Sequence, residues 1–394
     1  MSRYLILGGG ISGCTAGSEL AALGHEVTIL EQANRFGGKL LDYCCKATDS
    51  CSRCGVCVAA GQLARAARQD RVQILQGSTV QAVRRAKGFS VRVTRSNPGI
   101  DPGRCTDCGA CLEACPEGAI TRFQKAELVQ YAVDFTRCRL HQGKACDRCL
   151  KACSAGAVAG ESAESSLSLA ADAVLVATGH QPYDASRKVR LGYGRFPGVL
   201  TGAEAEALLT RDESLGGSSV AFVQCVGSRD PKEGRNYCSA VCCGYALRLA
   251  RMLKHREAKA EISIYYIDLQ NFDKAFTPLR AQLEASGVRL IRGVPFRVEQ
   301  ASSGKLQVFF ESPDGQESVA VHDRVVLSVG IGPEPKTAGL AQMLGLPLNA
   351  HGFLASAAPA PQVWACGTCL EPQSIPDSMA SARATALAMA GRSA

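Results

Sequence analysis

Residues 4 to 31 leave this chain little choice of fold. Tyr4-Leu5-Ile6-Leu7 reads as a short buried strand, and Gly8-Gly9-Gly10-Ile11-Ser12-Gly13 follows at once, leading into a helical run that ends near Leu23. Gly8 permits a tight turn, Gly10 lets the backbone approach a pyrophosphate, and Gly13 lets helix and strand pack closely, with the helix N-terminus facing the phosphates. A second strand, Glu26 to Leu30, ends in Glu31, where such a unit needs a carboxylate for the ribose hydroxyls; an acidic residue there argues against a 2′-phosphate. The expectation is an α/β chain that binds a dinucleotide.

Later segments resemble the remainder of a two-dinucleotide flavoprotein, which makes FAD the expected ligand. Gly37-Gly38 follows Glu31 closely. Val72-Gln73-Ile74-Leu75 and then Val80 resemble the segment that meets adenine through its backbone. Val174 to Ala177 with Thr178-Gly179 resembles the returning strand, and Val363-Trp364-Ala365-Cys366-Gly367 the last strand before the flavin ring. Ile375 opens the small-residue helix that follows. One departure stands out, because such proteins usually place Asp after the final glycine to hold the ribityl chain, and here the residue is Thr368.

The 20 cysteines among 394 residues are the second constraint. With three residues before Tyr4 there is no room for a secretory segment, so a disulfide scaffold is not expected and a reducing, cytoplasmic location is. No stretch approaches the roughly 18 apolar residues that span a bilayer. The net charge of +8 comes from scattered Lys and Arg rather than a basic stripe with aromatics, so nucleic acid is not an expected partner. Four cubane clusters, each with its thiolates carrying about two negative charges, would roughly cancel it.

Cys105-x2-Cys108-x2-Cys111-x3-Cys115-Pro116 matches the bacterial ferredoxin run residue for residue. Cys138-x7-Cys146-x2-Cys149-x3-Cys153 is a looser copy with Ser154 in place of proline. Resemblance to two-cluster ferredoxins implies that Cys105, Cys108, Cys111 and Cys153 hold one [4Fe–4S] cluster and Cys138, Cys146, Cys149 and Cys115 the other, with Ile120 and Val158 as apolar cover. Zinc is the rival for paired cysteines; His141, inside the long loop, reads as a loop side chain rather than a ligand.

Two further groups are less regular. Cys44, Cys45, Cys51, Cys54 and Cys57 crowd just after Gly37-Gly38; the group as a whole matches no standard run, and zinc, a redox disulfide and a fourth [4Fe–4S] cluster all stay open. If a cube forms, Cys51, Cys54 and Cys57 are the natural trio, with Cys44 or Cys45 as fourth ligand. Cys225 ends the strand at Val220-Ala221-Phe222-Val223, and a helix is expected from Tyr237 to Lys254, with Cys238 and Cys242 one turn apart on one face and Cys243 beside them. That group suits an anionic cluster near a helix start. Buried structural thiols are the alternative.

At Val223-Gln224-Cys225-Val226-Gly227-Ser228-Arg229, Tyr237-Cys238-Ser239, Cys242-Cys243, Tyr265-Tyr266-Ile267-Asp268 and Ile375-Pro376-Asp377-Ser378, the chain resembles the A subunit of heterodisulfide reductase and its relatives. The resemblance implies two dinucleotide-binding-like domains of thioredoxin-reductase type with an inserted two-cluster ferredoxin domain. It also implies FAD, at least three [4Fe–4S] clusters, and a cluster at Cys225, Cys238, Cys242 and Cys243 where NAD would sit. A second G-x-G-x-x-G is indeed missing after the strand at Val220. The expected layout is an FAD-binding domain at 1–98, the ferredoxin insert at 99–160, the return of the FAD domain at 161–200, the cluster-bearing domain at 201–320 and the closing of the FAD domain at 321–394. Some relatives carry further ferredoxin domains at their ends; none is seen here, and shorter wiring is expected.

The resemblance implies an electron-transfer subunit of a larger oxidoreductase complex that bifurcates or confurcates electrons at the flavin. Its expected partners are ferredoxin and subunits like the B and C subunits of heterodisulfide reductase, or of hydrogenase or dehydrogenase type. Two other functions remain open at this point: a relay and scaffold subunit between a quinone- or hydrogenase-type partner and a terminal reductase, and an NAD(P)H-dependent disulfide reductase.

Overall fold

The structure, a computed structural model, describes residues 1–392 apart from 97, 126, 161–163, 271–275 and 359. The first sheet is wholly parallel, in the order Val363–Ala365, Ala173–Val176, Arg3–Leu7, Glu26–Leu30, Val72–Leu75. Its strands are short and apolar on both faces because both are covered. One face carries the helices Ile11–Ala22, Val56–Ala67 and Ile375–Gly391 over Tyr4, Ile6 and Leu175. The other meets the antiparallel sheet Ser78–Arg85, Phe89–Ser96 and Glu164–Ala171 over Leu5, Leu7 and Val176.

That antiparallel sheet carries the insert. Phe89–Ser96 pairs with Glu164–Ala171 along its full length, from Phe89 with Ala171 to Ser96 with Glu164. The ferredoxin segment therefore leaves and returns at the tip of one strand pair, two or three residues outside the expected limits at each end. It has its own strand pair, Ile120–Lys125 with Leu128–Val133, two short helices, Ala110–Ala114 and Arg148–Ala152, and a small core around Ile100, Ile120 and Tyr131.

The second parallel sheet runs Val199–Thr201, Arg324–Val329, Ser219–Val226, Glu261–Tyr266, Arg289–Arg292. Arg324–Val329, expected to open the closing part of the FAD domain, belongs to this sheet, between Val199–Thr201 and Ser219–Val226. The chain crosses back after it, where His180–Pro182 and Ile331–Pro333 pair antiparallel and join the two halves.

The helix expected from Tyr237 begins at Cys242 and runs to Arg256. Ala240 sits in the left-handed region at φ 59°, which breaks the helical path. The preceding loop is strapped down by Ser228 and Ser239, both buried: Ser228 Oγ donates to the Tyr237 carbonyl at 3.0 Å, and the Ser239 amide donates to Ser228 Oγ at 3.1 Å. Cys238 thus lies on a loop, not one turn before Cys242 on a shared helical face.

Candidate flavin cleft and its cysteine borders

The turns at the carboxyl ends of the first sheet open into a cleft of about 1310 Å³. That exceeds the ~300–1,000 Å³ usual for a small-molecule site and leaves room for a dinucleotide. Of the residues singled out in sequence, Gly8, Gly10, Glu31, Gly37, Gly38, Val80, Thr178, Gly179, Thr368 and Ile375 line it. Gly13 and Gly367 stand behind the wall and shape it. A Cβ on Gly13 would fall 1.9 Å from the Gly8 carbonyl oxygen, and one on Gly367, at φ 75°, 2.1 Å from Ser12 Oγ. A Cβ on Gly10 would meet no atom within 4 Å. Gly10 also caps the helix Ile11–Ala22 without any side-chain partner, so the first-turn amides are left for a ligand anion. The residues present fit the pyrophosphate of a dinucleotide.

Glu31 is held ready at the end of its strand. Its carboxylate accepts from the Gly9 amide at 2.9 Å and the Ala33 amide at 2.7 Å, and burial raises its pKa. Gly37 donates its amide to the Gly9 carbonyl at 2.7 Å, tying the second glycine loop to the first. Thr368 hydrogen-bonds His180 Nδ1 at 3.1 Å, and Thr178 pairs with Thr337 at 2.7 Å. Burial, with the Lys39 charge, pushes the His180 imidazole down to about 4. His180 lines the cleft and is not among the residues singled out in sequence; its place directly after Ala-Thr-Gly is the available signal.

The insert docks against the same cleft. Lys125 Nζ donates to the carbonyls of Leu40 at 2.6 Å, Leu41 at 2.9 Å and Tyr43. The buried Gln130 donates to the Phe36 carbonyl at 2.8 Å and accepts from the Phe36 amide at 3.1 Å. Thr121, Ala132, Val133 and Asp134 of the insert line the cleft.

Within the insert the two halves repeat one another. The Cys105 amide donates to the Asp101 carbonyl and the Cys138 amide to the Asp134 carbonyl, each at 3.1 Å. The Ala119 amide donates to Cys115 Sγ at 3.3 Å, and the Ala157 amide to Cys153 Sγ at 3.2 Å. Cys105, Cys108, Cys111 and Cys153 surround one small pocket closed by Ile100 and Val158. The Cys111 thiol is raised by burial and then by Cys105 and Cys153; the Cys149 thiol by burial and then by Cys115, Cys138 and Cys146. Cys153 thus lies beside Cys105 and Cys111, and Cys115 beside Cys138, Cys146 and Cys149. His141 rests its ring against Phe135, with centroids 4.8 Å apart.

In the second half, Cys225 falls at an irregularity in the pairing of Ser219–Val226 with Arg324–Val329, and φ there is 59°. Arg229, at φ 55°, forms an ion pair with Asp268. With Ala240, three non-glycine residues around this group occupy the left-handed region, a form of strain that gathers at functional sites. Cys225 and Cys243 both exchange hydrogen bonds with Cys242, which holds Cys225 and Cys243 below the usual thiol range and lifts Cys242 well above it. Cys238 is raised by burial, with Cys225 and Cys243 beside it. Gln224, next to Cys225 in the strand, is buried with neither end of its amide hydrogen-bonded. The four thiols fit a cluster. No second G-x-G-x-x-G follows this strand, and a Cβ on Gly227 would sit 2.1 Å from the Tyr183 ring, which packs against the turn.

The fourth group lies between the halves. Cys54 lines the cleft, Cys44 packs against the second core, and Cys45, Cys51 and Cys57 are exposed. The segment is clamped by a buried pair, Lys46 with Glu206, over the rings of Tyr43 and Tyr245; Tyr245 Oη donates to Glu206 at 2.6 Å. Arg248 donates to the Ser52 carbonyl at 2.9 Å. The spacing Cys51-x2-Cys54-x2-Cys57, taken without Cys44 and Cys45, does follow the start of the ferredoxin run, contrary to the expectation that no standard run is present.

Among the described residues no helix is long and apolar enough to cross a membrane. Residues 6–48 match the NAD(P)-binding Rossmann-like domain and residues 104–157 the 4Fe-4S dicluster domain. The fold is that of thioredoxin reductases. The Thermoplasma enzyme (T. acidophilum) superposes with a TM-score of 0.56 at 14% identity over 100% of this chain and 99% of that one, and the Lactococcus lactis enzyme with 0.56 at 13% over 99% and 98%. In sequence the chain is 32% identical to the iron-sulfur A subunit of the CoB–CoM heterodisulfide reductase of Methanocaldococcus jannaschii, over 98% of this chain and 63% of that protein. It is 32% identical to the A subunit of the ferredoxin:CoB-CoM heterodisulfide reductase of Methanosarcina mazei, over 91% of this chain and 48% of that protein. The chain thus spans under two thirds of these relatives, and along nearly its whole length it is similar to the A subunits of heterodisulfide reductases.

Proposed function

We propose that this chain is an FAD- and iron–sulfur-dependent electron-transfer subunit of a larger oxidoreductase complex, working in flavin-based electron bifurcation or its reverse. One observation carries the reading: a single cleft is bordered by the ferredoxin insert through Thr121 and Val133, by Cys242 of the second half, and by Cys54. FAD bound there would exchange electron pairs for single electrons. Gly8, Gly10 and Gly13 would hold its pyrophosphate, Glu31 its ribose, and the turns at Thr178-Gly179 and Gly367-Thr368 its flavin end.

Cys105, Cys108, Cys111 and Cys153 form the first cluster site, Cys138, Cys146, Cys149 and Cys115 the second, and Cys225, Cys238, Cys242 and Cys243 the third. Ferredoxin is one partner, and the others are subunits that supply or accept the remaining electrons. The names of the relatives, which join ferredoxin and a heterodisulfide in one enzyme, favour this class. The lack of a second G-x-G-x-x-G after the strand at Val220 counts against direct use of NAD(P)H.

The test uses the complex purified anaerobically with its partners. Reduction of ferredoxin is expected to proceed only while a second, higher-potential acceptor is reduced in equal electron number. Ferredoxin reduction independent of any second acceptor would contradict bifurcation, and rapid bleaching of the flavin by NADH alone would favour a nicotinamide-dependent reductase.

A further inference from the structure

The segment between Gly38 and the helix Val56–Ala67 repeats the backbone of a ligand loop found elsewhere in the molecule. Cys51-Ser52-Arg53-Cys54-Gly55-Val56-Cys57 and Cys105-Thr106-Asp107-Cys108-Gly109-Ala110-Cys111 share more than the positions of three cysteines. The third residue of each is a non-glycine in the left-handed region, Arg53 at φ 52° and Asp107 at φ 56°. The fifth is a left-handed glycine with nearly the same dihedrals, φ 81° and ψ −6° at Gly55, φ 76° and ψ −11° at Gly109. That glycine caps a helix beginning at the sixth residue, Val56–Ala67 in one case and Ala110–Ala114 in the other.

An arginine gains nothing locally from a left-handed conformation, which is unfavourable for a residue with a long side chain. What the conformation does is turn an amide onto sulfur. The Arg53 amide donates to Cys51 Sγ at 3.4 Å, and the Ala240 amide, also left-handed at φ 59°, donates to Cys238 Sγ at 3.3 Å. The same turn therefore recurs at a cysteine of the group in the second half.

We propose that Cys51, Cys54 and Cys57 hold three irons of a further [4Fe–4S] cluster at the wall of the cleft, with Cys45 as the fourth ligand. The choice between the adjacent cysteines follows from their surroundings. Cys44 is committed to the second half: its amide donates to Glu206 at 2.5 Å, and its thiol bonds Thr210. Cys45 is exposed and free of that side, and the next residue, Lys46, brings its amide onto the Cys54 sulfur, as does Val56. The ligand set rests on the loop geometry and on these surroundings; electron exchange of this cluster with FAD would rest in addition on the reading of the cleft as a flavin site.

The test is made on the full chain, purified anaerobically and reconstituted with iron and sulfide. The double variant Cys54→Ala/Cys57→Ala is expected to lose about four irons and four sulfides per chain, with one signal fewer in the EPR spectrum of the dithionite-reduced protein, and Cys57→Ala, at a position outside the cleft lining, to do so with unchanged FAD. Cys45→Ala should lose the same signal, and Cys44→Ala should keep it. Cys57 is exposed on the first turn of its helix, so Cys57→Ala alone carries the test if the double variant does not fold. Unchanged iron and spectrum in these variants would overturn the proposal, as would zinc bound in place of iron. A preparation without FAD that still shows the iron difference would support the cluster and contradict the flavin reading.

Discussion

The two halves of this molecule are built on the same parallel-sheet plan and end in opposite chemistry at the turn after the strand that opens each. After Arg3–Leu7 the backbone at Gly10 is open to the cleft, and the helix that follows presents uncapped amides. After Ser219–Val226 the corresponding turn packs against the Tyr183 ring at Gly227 and carries the sulfur of Cys225, with Cys242 and Cys243 opening the next helix. On the proposed reading, one plan serves an anion directly in the first half and thiolate ligands in the second. What differs is a handful of residues at the turn, not the sheet, so fold alone does not disclose function.

The largest effect expected is loss of a whole cofactor from one half only. Cys242→Ala should remove about four irons per chain and leave FAD bound, measured by iron and flavin analysis; loss of both together would mean the halves are not chemically separate. Next is the bond between the halves. Lys46→Met leaves Glu206 buried without its cation and should cost about 3–5 kcal/mol, read as a fall in midpoint in denaturant, while Lys46→Met with Glu206→Leu should recover most of it.

Gly13→Ala places a Cβ against the Gly8 carbonyl and should destabilise the first half by about 1–3 kcal/mol, with a lowered flavin content, whereas an alanine at Gly61, a helical position where a Cβ would meet no atom within 4 Å, should leave flavin content unchanged. The smallest effect is a pH dependence that His322 in the second half adds to that of His180, which is also pushed down to about 4. His322 is buried between Ser219 and Tyr265, bonded to both at 2.9 Å, and burial with the Arg289 charge pushes it down to about 4. The unfolded chain therefore binds a proton that the folded chain does not between about pH 6.5 and pH 4, so stability falls as pH falls through that window, by at most ~1.4 kcal/mol per pH unit. His322→Asn should flatten that part of the stability profile.

Much of this plan is legible in the sequence, because its signals are local. The first strands, the glycines of the first turn and the ferredoxin spacing each declare themselves within a few residues, and the structure brings them together as read. The second half is harder. The helical spacing of Cys238 and Cys242 points to a shared helix. The loop conformation instead depends on Ser228, ten residues earlier, and on Ser239 receiving the Ile331 amide at 2.8 Å from 92 residues away. Arg324–Val329 reads as an apolar strand in either half, and only its pairing with Val199–Thr201 assigns it. The docking of the insert by Lys125 and Gln130, and the His180–Thr368 bond across 188 residues, likewise have no local pattern. The likeness of Cys51–Cys57 to the ferredoxin loop is present in the spacing but hidden by the neighbouring Cys44 and Cys45; the matching backbone angles make it plain.

The central claim is that one half holds a single dinucleotide while the turn of the other half holds a cluster. Quantifying FAD, iron and acid-labile sulfide per chain after anaerobic purification tests it most directly. The account predicts one FAD with about sixteen irons and as many sulfides; about twelve would remove only the Cys51–Cys57 cluster. Two dinucleotides per chain, or eight or fewer irons with losses excluded, would contradict it.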